Sequence, residues 1–354
     1  MRQTFAIVAV LALSASALAQ ETVPAPAASQ PGSASQAGSL GIGSKAPALA
    51  VEAWVKGQPV ESFEAGRIYV IEIWATWCAP CIAGIGHLTG VQREYKDHGV
   101  QIIGLTSADP KNMRAAVESF VAVRGDGMGY TVAWDAGRTT YERYMIASRH
   151  PGIPACFVVG KDGTIEYIGH PQNLDLVIPK LVDGTWDRSA GPTDVLAAQA
   201  MQAEVRLVGK SDPKAALVQF AEVESRWPLF AKQFLPYKAS LQRSAGDLDG
   251  SKASLARVVE VALERHDFLT LRGLAAQSLG RKAEPGSLDE ALSLATAAAK
   301  TSNERDAASM RILAKIHQAR GDLDKAIEAM KKSVETAGPD LAARMERELR
   351  ELMK

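Results

Sequence analysis

Two cysteines separated by two residues, Cys78 and Cys81, are the most reactive pair in the sequence. They follow a run of β-branched and aromatic residues (69–74) typical of a buried strand, and Pro80 suits the first turn of a helix. Cys78 is therefore predicted at a strand-to-helix junction, where the unpaired N–H groups and the helix dipole favour a thiolate. This arrangement predicts that an exposed Cys78 attacks a substrate disulfide. Cys81, shielded one turn further on, would then resolve the mixed disulfide.

An acidic residue, Glu72, lies six residues before Cys78 in the otherwise apolar strand. Burying an acid is costly unless it has a partner or a function. Two interpretations remain open. Glu72 is either a buried group, with a pKa raised toward that of a general base, or an edge residue that faces solvent. The first is favoured because its neighbours in the strand are apolar.

The sequence gives less support for a functional role of the remaining cysteine and of the histidines. Alternation along its strand places Cys156 on the face opposite Ala155, and a free cysteine is most often buried, so a core position is favoured over a resolving role. His87 has no companion at metal-ligand spacing and is expected on a solvated helix face. His170 is expected in a turn.

Composition excludes several classes of protein. The 354 residues carry 40 basic and 40 acidic side chains, so there is no basic surplus to bind nucleic acid. Three cysteines cannot staple a small disulfide-rich fold, and the ligands of a four-coordinate zinc site are absent. We therefore expect no metal and no cofactor.

The N-terminal sequence is typical of an exported protein. Arg2, a short apolar run and Ala17-Leu18-Ala19 predict a signal peptide over residues 1–19 and export, to a bacterial periplasm or by secretion. Residues 20–43 are rich in Ala, Pro, Ser, Gln and Gly, which predicts a disordered linker.

Strands alternate with helical patterns after residue 44, and a hairpin follows around Lys161-Asp162-Gly163. The sequence predicts an α/β domain over residues 44–188, with a mixed sheet flanked by helices.

The segment Trp74-Ala75-Thr76-Trp77-Cys78-Ala79-Pro80-Cys81, followed by Gly152-Ile153-Pro154 and the hairpin, resembles the thioredoxin superfamily, and within it the exported TlpA/ResA-like thiol-disulfide oxidoreductases. The resemblance implies a thioredoxin-like fold, a redox-active Cys78–Cys81 disulfide and a cis bond at Ile153–Pro154. It further implies that Trp77, Ile153 and Pro154 contact the substrate chain, and that Glu72 exchanges protons with the resolving thiol. A proline commonly kinks the family's first helix where Gly86 stands here, so this helix is expected to be straighter or more mobile.

Residues 189–354 are rich in Ala, Leu, Glu and Lys with helical periodicity. Gly-containing turns at Gly246, Gly286 and Gly321 recur every 35 to 40 residues, and the last unit resembles a tetratricopeptide repeat. The pattern predicts an all-α helical-repeat domain that either docks proteins or only extends the structure.

These observations favour an exported thiol-disulfide oxidoreductase. The resemblance implies the reducing direction, which requires an upstream electron donor, often a membrane protein. Its partners would be proteins that carry disulfides. The alternative is a non-enzymatic scaffold that binds clients through its helical repeats and keeps the thioredoxin-like part only as a fold. The presence of both cysteines favours the enzyme.

Overall fold

The computed structural model describes residues 39–354, so the predicted signal peptide and most of the predicted linker lie outside the described residues. The first part of the described chain contains six strands: β1 Ala53–Lys56, β2 Ile68–Trp74, β3 Val100–Ser107, β4 Thr131–Asp135, β5 Ala155–Val159 and β6 Ile165–Gly169. Four helices accompany them: α1 Ala79–Tyr95, α2 Arg114–Arg124, α3 Thr139–Tyr141 and α4 Leu174–Val182.

The strands form one mixed sheet in the order β1-β4-β3-β2-β5-β6. Strand β2 lies in the middle, parallel to β3 and antiparallel to β5, while β4 continues the parallel part and β1 and β6 close the edges as antiparallel strands. The thioredoxin-like mixed sheet expected from the sequence is thus confirmed.

The two faces of the sheet carry separate apolar clusters. Alternation along β2 sends Val70 and Trp74 to the face covered by α1 and α2, and sends Ile71 and Ile73 to the opposite face. Because β2 is buried on both sides, it consists almost entirely of apolar residues. Glu72 is the exception.

Packing of the chain begins before the predicted start at Ser44. Leu40 is buried against the sheet, and its backbone N–H donates to the carbonyl of Ala147. The Gly43 N–H donates to the Ile165 carbonyl at 2.8 Å. Residues 39–43, which the composition assigned to the linker, are therefore held by the sheet domain.

The rest of the described chain is helical. Ten helices follow: α5 Gly191–Val208, α6 Pro213–Arg226, α7 Pro228–Lys232, α8 Leu235–Ser244, α9 Leu248–Glu264, α10 Phe268–Gly280, α11 Ser287–Thr301, α12 Ala307–Arg320, α13 Leu323–Thr336 and α14 Pro339–Leu352. Neighbours in sequence pack together, as α8 does with α9, α10 with α11, and α12 with α13. Gly246, Gly286 and Gly321 lie in the turns within these pairs with positive φ, which confirms the predicted turn positions. The assignment to tetratricopeptide repeats stays a prediction. No helix within residues 39–354 is both long and apolar enough to cross a membrane.

The helical part packs closely against the sheet domain. One apolar cluster contains residues of α1 and α4 and continues into Phe220 of α6, Phe230 of α7 and Trp227 between these two helices. The Gln233 amide donates to the Gln172 carbonyl at 2.7 Å. The predicted boundary at residues 188/189 stays a prediction, although this core crosses it.

The turn between α9 and α10 rests directly on α1. A Cβ at Gly86 would lie 2.6 Å from Asp267 Cβ, and one at Gly90 would lie 2.5 Å from Arg265 Cγ. These glycines therefore leave the space that the α9–α10 turn occupies. Their helix-propensity cost of roughly 0.5–1 kcal/mol each accompanies this close packing.

Candidate functional site

The Cys78–Cys81 disulfide lies where β2 gives way to α1. Cys78 is the N-cap residue of α1, and its Sγ accepts a hydrogen bond from the Cys81 N–H at 3.3 Å. The two cysteines form a disulfide, with Cα atoms 5.3 Å apart. The expected difference in exposure is wrong, because each cysteine is only 3% exposed. The helix terminus, which favours a thiolate at Cys78, is what distinguishes the two sulfur atoms.

A polar network holds the segment before Cys78. The buried Asn112 side chain accepts from the Thr76 N–H at 3.0 Å and from the Thr76 hydroxyl at 2.8 Å, and its amide donates to Thr106 Oγ1. Trp77 is half exposed, and its indole N–H donates to Asp109 Oδ2 at 2.9 Å. Sequence reasoning missed Asn112 and Asp109, since nothing in their local pattern indicates a contact with the cysteine loop.

The Ile153–Pro154 peptide bond is cis, as the resemblance implied. Ile153 and Trp77 line one surface cavity of about 370 Å³ together with Asp109 and Arg138. The structure thus brings two of the three predicted substrate-contacting residues to one opening beside the disulfide loop. Pro154, the third of these residues, is buried and does not line this cavity.

Glu72 is buried in the central strand, 1% exposed, and does not lie at an edge facing solvent. Its Oε2 has no hydrogen-bond partner. Burial in these apolar surroundings raises the pKa of Glu72 to about 8, because the charged form loses its hydration. The carboxyl group is therefore mostly protonated at neutral pH.

Cys156 pairs with Glu72 across β2 and β5. It is fully buried, and its side chain joins the cluster beneath α1 while Ala155 joins the opposite cluster, as alternation predicted. Burial, with the nearby Glu72 carboxyl, raises the pKa of the Cys156 thiol well above its usual value, so this thiol is a poor nucleophile. Within residues 39–354, no three His, Cys, Asp or Glu side chains cluster as metal ligands would.

A second cavity, of about 340 Å³, lies between α1 and the helical part. Glu72, Cys81 and His87 line it from the sheet domain. His87 differs from its expected solvated position, because it is largely buried with Nε2 3.0 Å from Asp175 Oδ1. His170 also lines this cavity and caps the short helical turn Pro171–Asn173, which agrees with its predicted place in a turn.

Comparison with known proteins gives a consistent set of relatives. Residues 42–168 match the AhpC/TSA family. The chain is 31% identical to Protein FixW of Rhizobium leguminosarum over 157 residues, which covers 43% of this chain and 71% of FixW. It is 30% identical to the thiol-disulfide oxidoreductase ResA of Bacillus anthracis over 125 residues, covering 35% of this chain and 66% of ResA, just under two thirds. Among solved structures, one described as a putative thiol:disulfide interchange protein DsbE from Chlorobium tepidum aligns with 19% identity and a TM-score of 0.32. That alignment covers 42% of this chain and all of the other.

Proposed function

The chain belongs to the AhpC/TSA family of thioredoxin-like proteins, and on this premise we propose that it is a thiol-disulfide oxidoreductase that exchanges disulfides with client proteins through Cys78 and Cys81. The observation that carries the proposal is the disulfide at the N-terminus of α1, with Cys78 as the N-cap residue. The alternative, a scaffold without redox chemistry, does not account for a cysteine pair held in this position.

In the reduced protein, the Cys78 thiolate attacks one sulfur of a client disulfide, and the other client sulfur leaves as a thiolate. The Cys81 thiolate then attacks Cys78 Sγ, which releases the second client sulfur and closes the Cys78–Cys81 disulfide. Both electrons pass from the dithiol to the client. The helix N-terminus supports the first step by stabilising the Cys78 thiolate.

Two further parts of the proposal rest on the sequence. The N-terminal pattern supports export, and the family supports a reducing direction, which requires an upstream electron donor to regenerate the dithiol. The opening lined by Trp77 and Ile153 supports client binding beside the disulfide loop. The helical repeats of residues 189–354 would add contacts to a specific client.

Catalysis of insulin reduction tests the proposed activity. We expect the full chain, at catalytic concentration, to accelerate the reduction of insulin disulfides by dithiothreitol well above the rate without protein. The potential of the Cys78/Cys81 couple, measured by equilibration with redox buffers, then tests the reducing direction. A chain that leaves the dithiothreitol rate unchanged would refute the oxidoreductase assignment.

Glu72 is proposed as the group that exchanges a proton with Cys81. It lines the same cavity as Cys81, it is buried, and its Oε2 has no partner. A carboxylate formed near pH 8 takes the proton from the Cys81 thiol as that thiol attacks the mixed disulfide.

Glu72→Gln is expected to slow resolution of the mixed disulfide by roughly 10- to 100-fold near pH 8, because general-base assistance is lost. In the wild type the rate should rise as pH passes through about 8 and Glu72 ionises. In the variant it should rise only with ionisation of the thiol itself. Stopped-flow measurement of single-turnover resolution from pH 6 to 10 would show this difference, and coincident profiles would remove Glu72 from the mechanism.

The pH dependence of the free energy of unfolding provides an independent check on the raised pKa of Glu72. The pKa of Glu72 is raised in the folded protein from 4.5 to about 8, so between these values the folded state keeps a proton that the unfolded state loses. The free energy of unfolding should therefore fall as pH rises from 5 to 8 in the wild type, an effect that Glu72→Gln should remove. The variant is expected to gain stability over the wild type in this range.

A further inference from the structure

The 340 Å³ cavity is built by both parts of the chain. Cys81 and Glu72 line it from the sheet domain, while Lys232 of α7, Val258 of α9 and Thr270 of α10 line it from the helical part. Cys78 is not among its lining residues. The cavity therefore reaches Cys81, and it shares no lining residue with the opening beside Trp77.

The charges that face this cavity leave a positive excess. Lys232 and Arg265 line it, and neither forms an ion pair in the described part of the chain. Asp267 also lines the cavity and accepts from the Thr270 N–H and hydroxyl as the cap of α10. Its single negative charge offsets one of the two positive charges, so one positive charge remains in excess.

The acid and the imidazoles do not cancel this excess. Glu72 is mostly protonated at neutral pH, because burial raises its pKa to about 8. Burial lowers the pKa of His170, which favours its uncharged form, and His87 faces Asp175. A small ligand with carboxylate groups therefore suits the cavity better than a neutral or cationic one.

We propose that this cavity binds a low-molecular-weight thiol that carries carboxylate groups and delivers it to Cys81. The proposal rests on the proposed function and adds a second class of substrate to the same disulfide. A volume of about 340 Å³ suits a small molecule, whereas a folded client could not enter between two packed parts of the chain. Glu72, whose Oε2 has no hydrogen-bond partner, adds a polar group to the lining.

The ligand thiol reduces the Cys78–Cys81 disulfide in two successive exchange steps. A ligand thiolate attacks Cys81 Sγ, the Cys78–Cys81 bond breaks, and Cys78 leaves as a thiolate at the helix N-terminus. A second ligand thiolate attacks the ligand sulfur of the mixed disulfide, which releases a ligand disulfide and the Cys81 thiolate. Cys81 then takes a proton from Glu72. Two thiols are oxidised to one disulfide, and the protein disulfide is reduced.

The test compares glutathione, which carries carboxylates, with neutral 2-mercaptoethanol as reductants of the oxidised full chain. Lys232→Glu should lower the rate constant for glutathione by about tenfold and change that for 2-mercaptoethanol by less than about twofold. The matched control is Lys252→Glu, an exposed residue of α9 outside the cavity, which should change neither rate. Alkylation of the reduced cysteines followed by mass measurement gives the rates.

A second measurement locates the attack. Each single-cysteine chain is allowed to form a mixed disulfide with glutathione disulfide. In the Cys78→Ser chain, where Cys81 reacts, Lys232→Glu should slow formation of the mixed disulfide. In the Cys81→Ser chain, where Cys78 reacts, Lys232→Glu should leave the rate of formation unchanged. Equal effects on both reductants, equal effects at both cysteines, or no effect would overturn the proposal. Insulin reduction by dithiothreitol tests the proposed function separately, because that dithiol carries no charge.

Discussion

Cys78→Ser is expected to lower catalysis of insulin reduction by at least about 100-fold, to the rate of dithiothreitol alone, because the variant has no thiolate at the helix N-terminus. Cys81→Ser is expected to react with client disulfides but not to release them. It should therefore accumulate a covalent complex visible on a non-reducing gel. Both cysteines are equally buried, so this difference depends on the position of Cys78 as N-cap and not on exposure.

Cys156→Ala is the matched control for both variants. Cys156 is fully buried with a raised thiol pKa, and its removal should leave the insulin rate within about twofold of the wild type. The opposite result, with a trapped complex in Cys78→Ser and none in Cys81→Ser, would assign the nucleophile to Cys81. Loss of activity in Cys156→Ala with an intact fold would bring the third cysteine into the mechanism.

Local sequence pattern predicted the elements that hold the cysteines. The β-branched run of β2 and the Pro-initiated helix α1 are strong signals because strand and helix preferences act over a few residues. Burial of Glu72 also followed from local context, since its apolar neighbours already indicated a strand covered on both faces.

Contacts between distant segments were not predictable in the same way. Asn112 holds Thr76 across 36 residues, and Gln233 meets Gln172 across 61. The contact between His87 and Asp175 could not be predicted from the sequence, because it depends on how α4 packs against α1. The expected exposure of Cys78 failed for a related reason, since accessibility depends on the packed surroundings and not on the two residues between the cysteines.

The glycines of α1 illustrate the same limit. The sequence indicated a straighter or more mobile helix, because glycine weakens a helix and the family's proline is absent. The structure gives Gly86 and Gly90 a packing role, because Asp267 and Arg265 contact them from 181 and 175 residues further along the chain. The low helix propensity of these two glycines thus accompanies a packing contact with a distant part of the chain.

Gly86→Ala is accordingly expected to destabilise the chain, although alanine favours helix. The new Cβ would lie 2.6 Å from Asp267 Cβ, and the capping bonds of Asp267 hinder its retreat. Overpacking of this kind costs about 1–3 kcal/mol. Gly84→Ala is the matched control, since no atom lies within 4 Å of its Cβ, and it should gain up to about 1 kcal/mol from helix propensity. Urea unfolding of the three proteins measures the differences.

Asp267→Gly provides the decisive background, because it removes the side chain that the new methyl group would meet, and glycine at an N-cap costs only a few tenths of a kcal/mol. In this background Gly86→Ala should no longer lower the free energy of unfolding, and should raise it as much as Gly84→Ala does. The double-mutant cycle then yields a coupling energy of about 1–3 kcal/mol between two residues on opposite sides of the predicted domain boundary. A penalty of equal size in both backgrounds would mean that Asp267 does not limit the space at Gly86, and that the α9–α10 turn is not held on α1 as described.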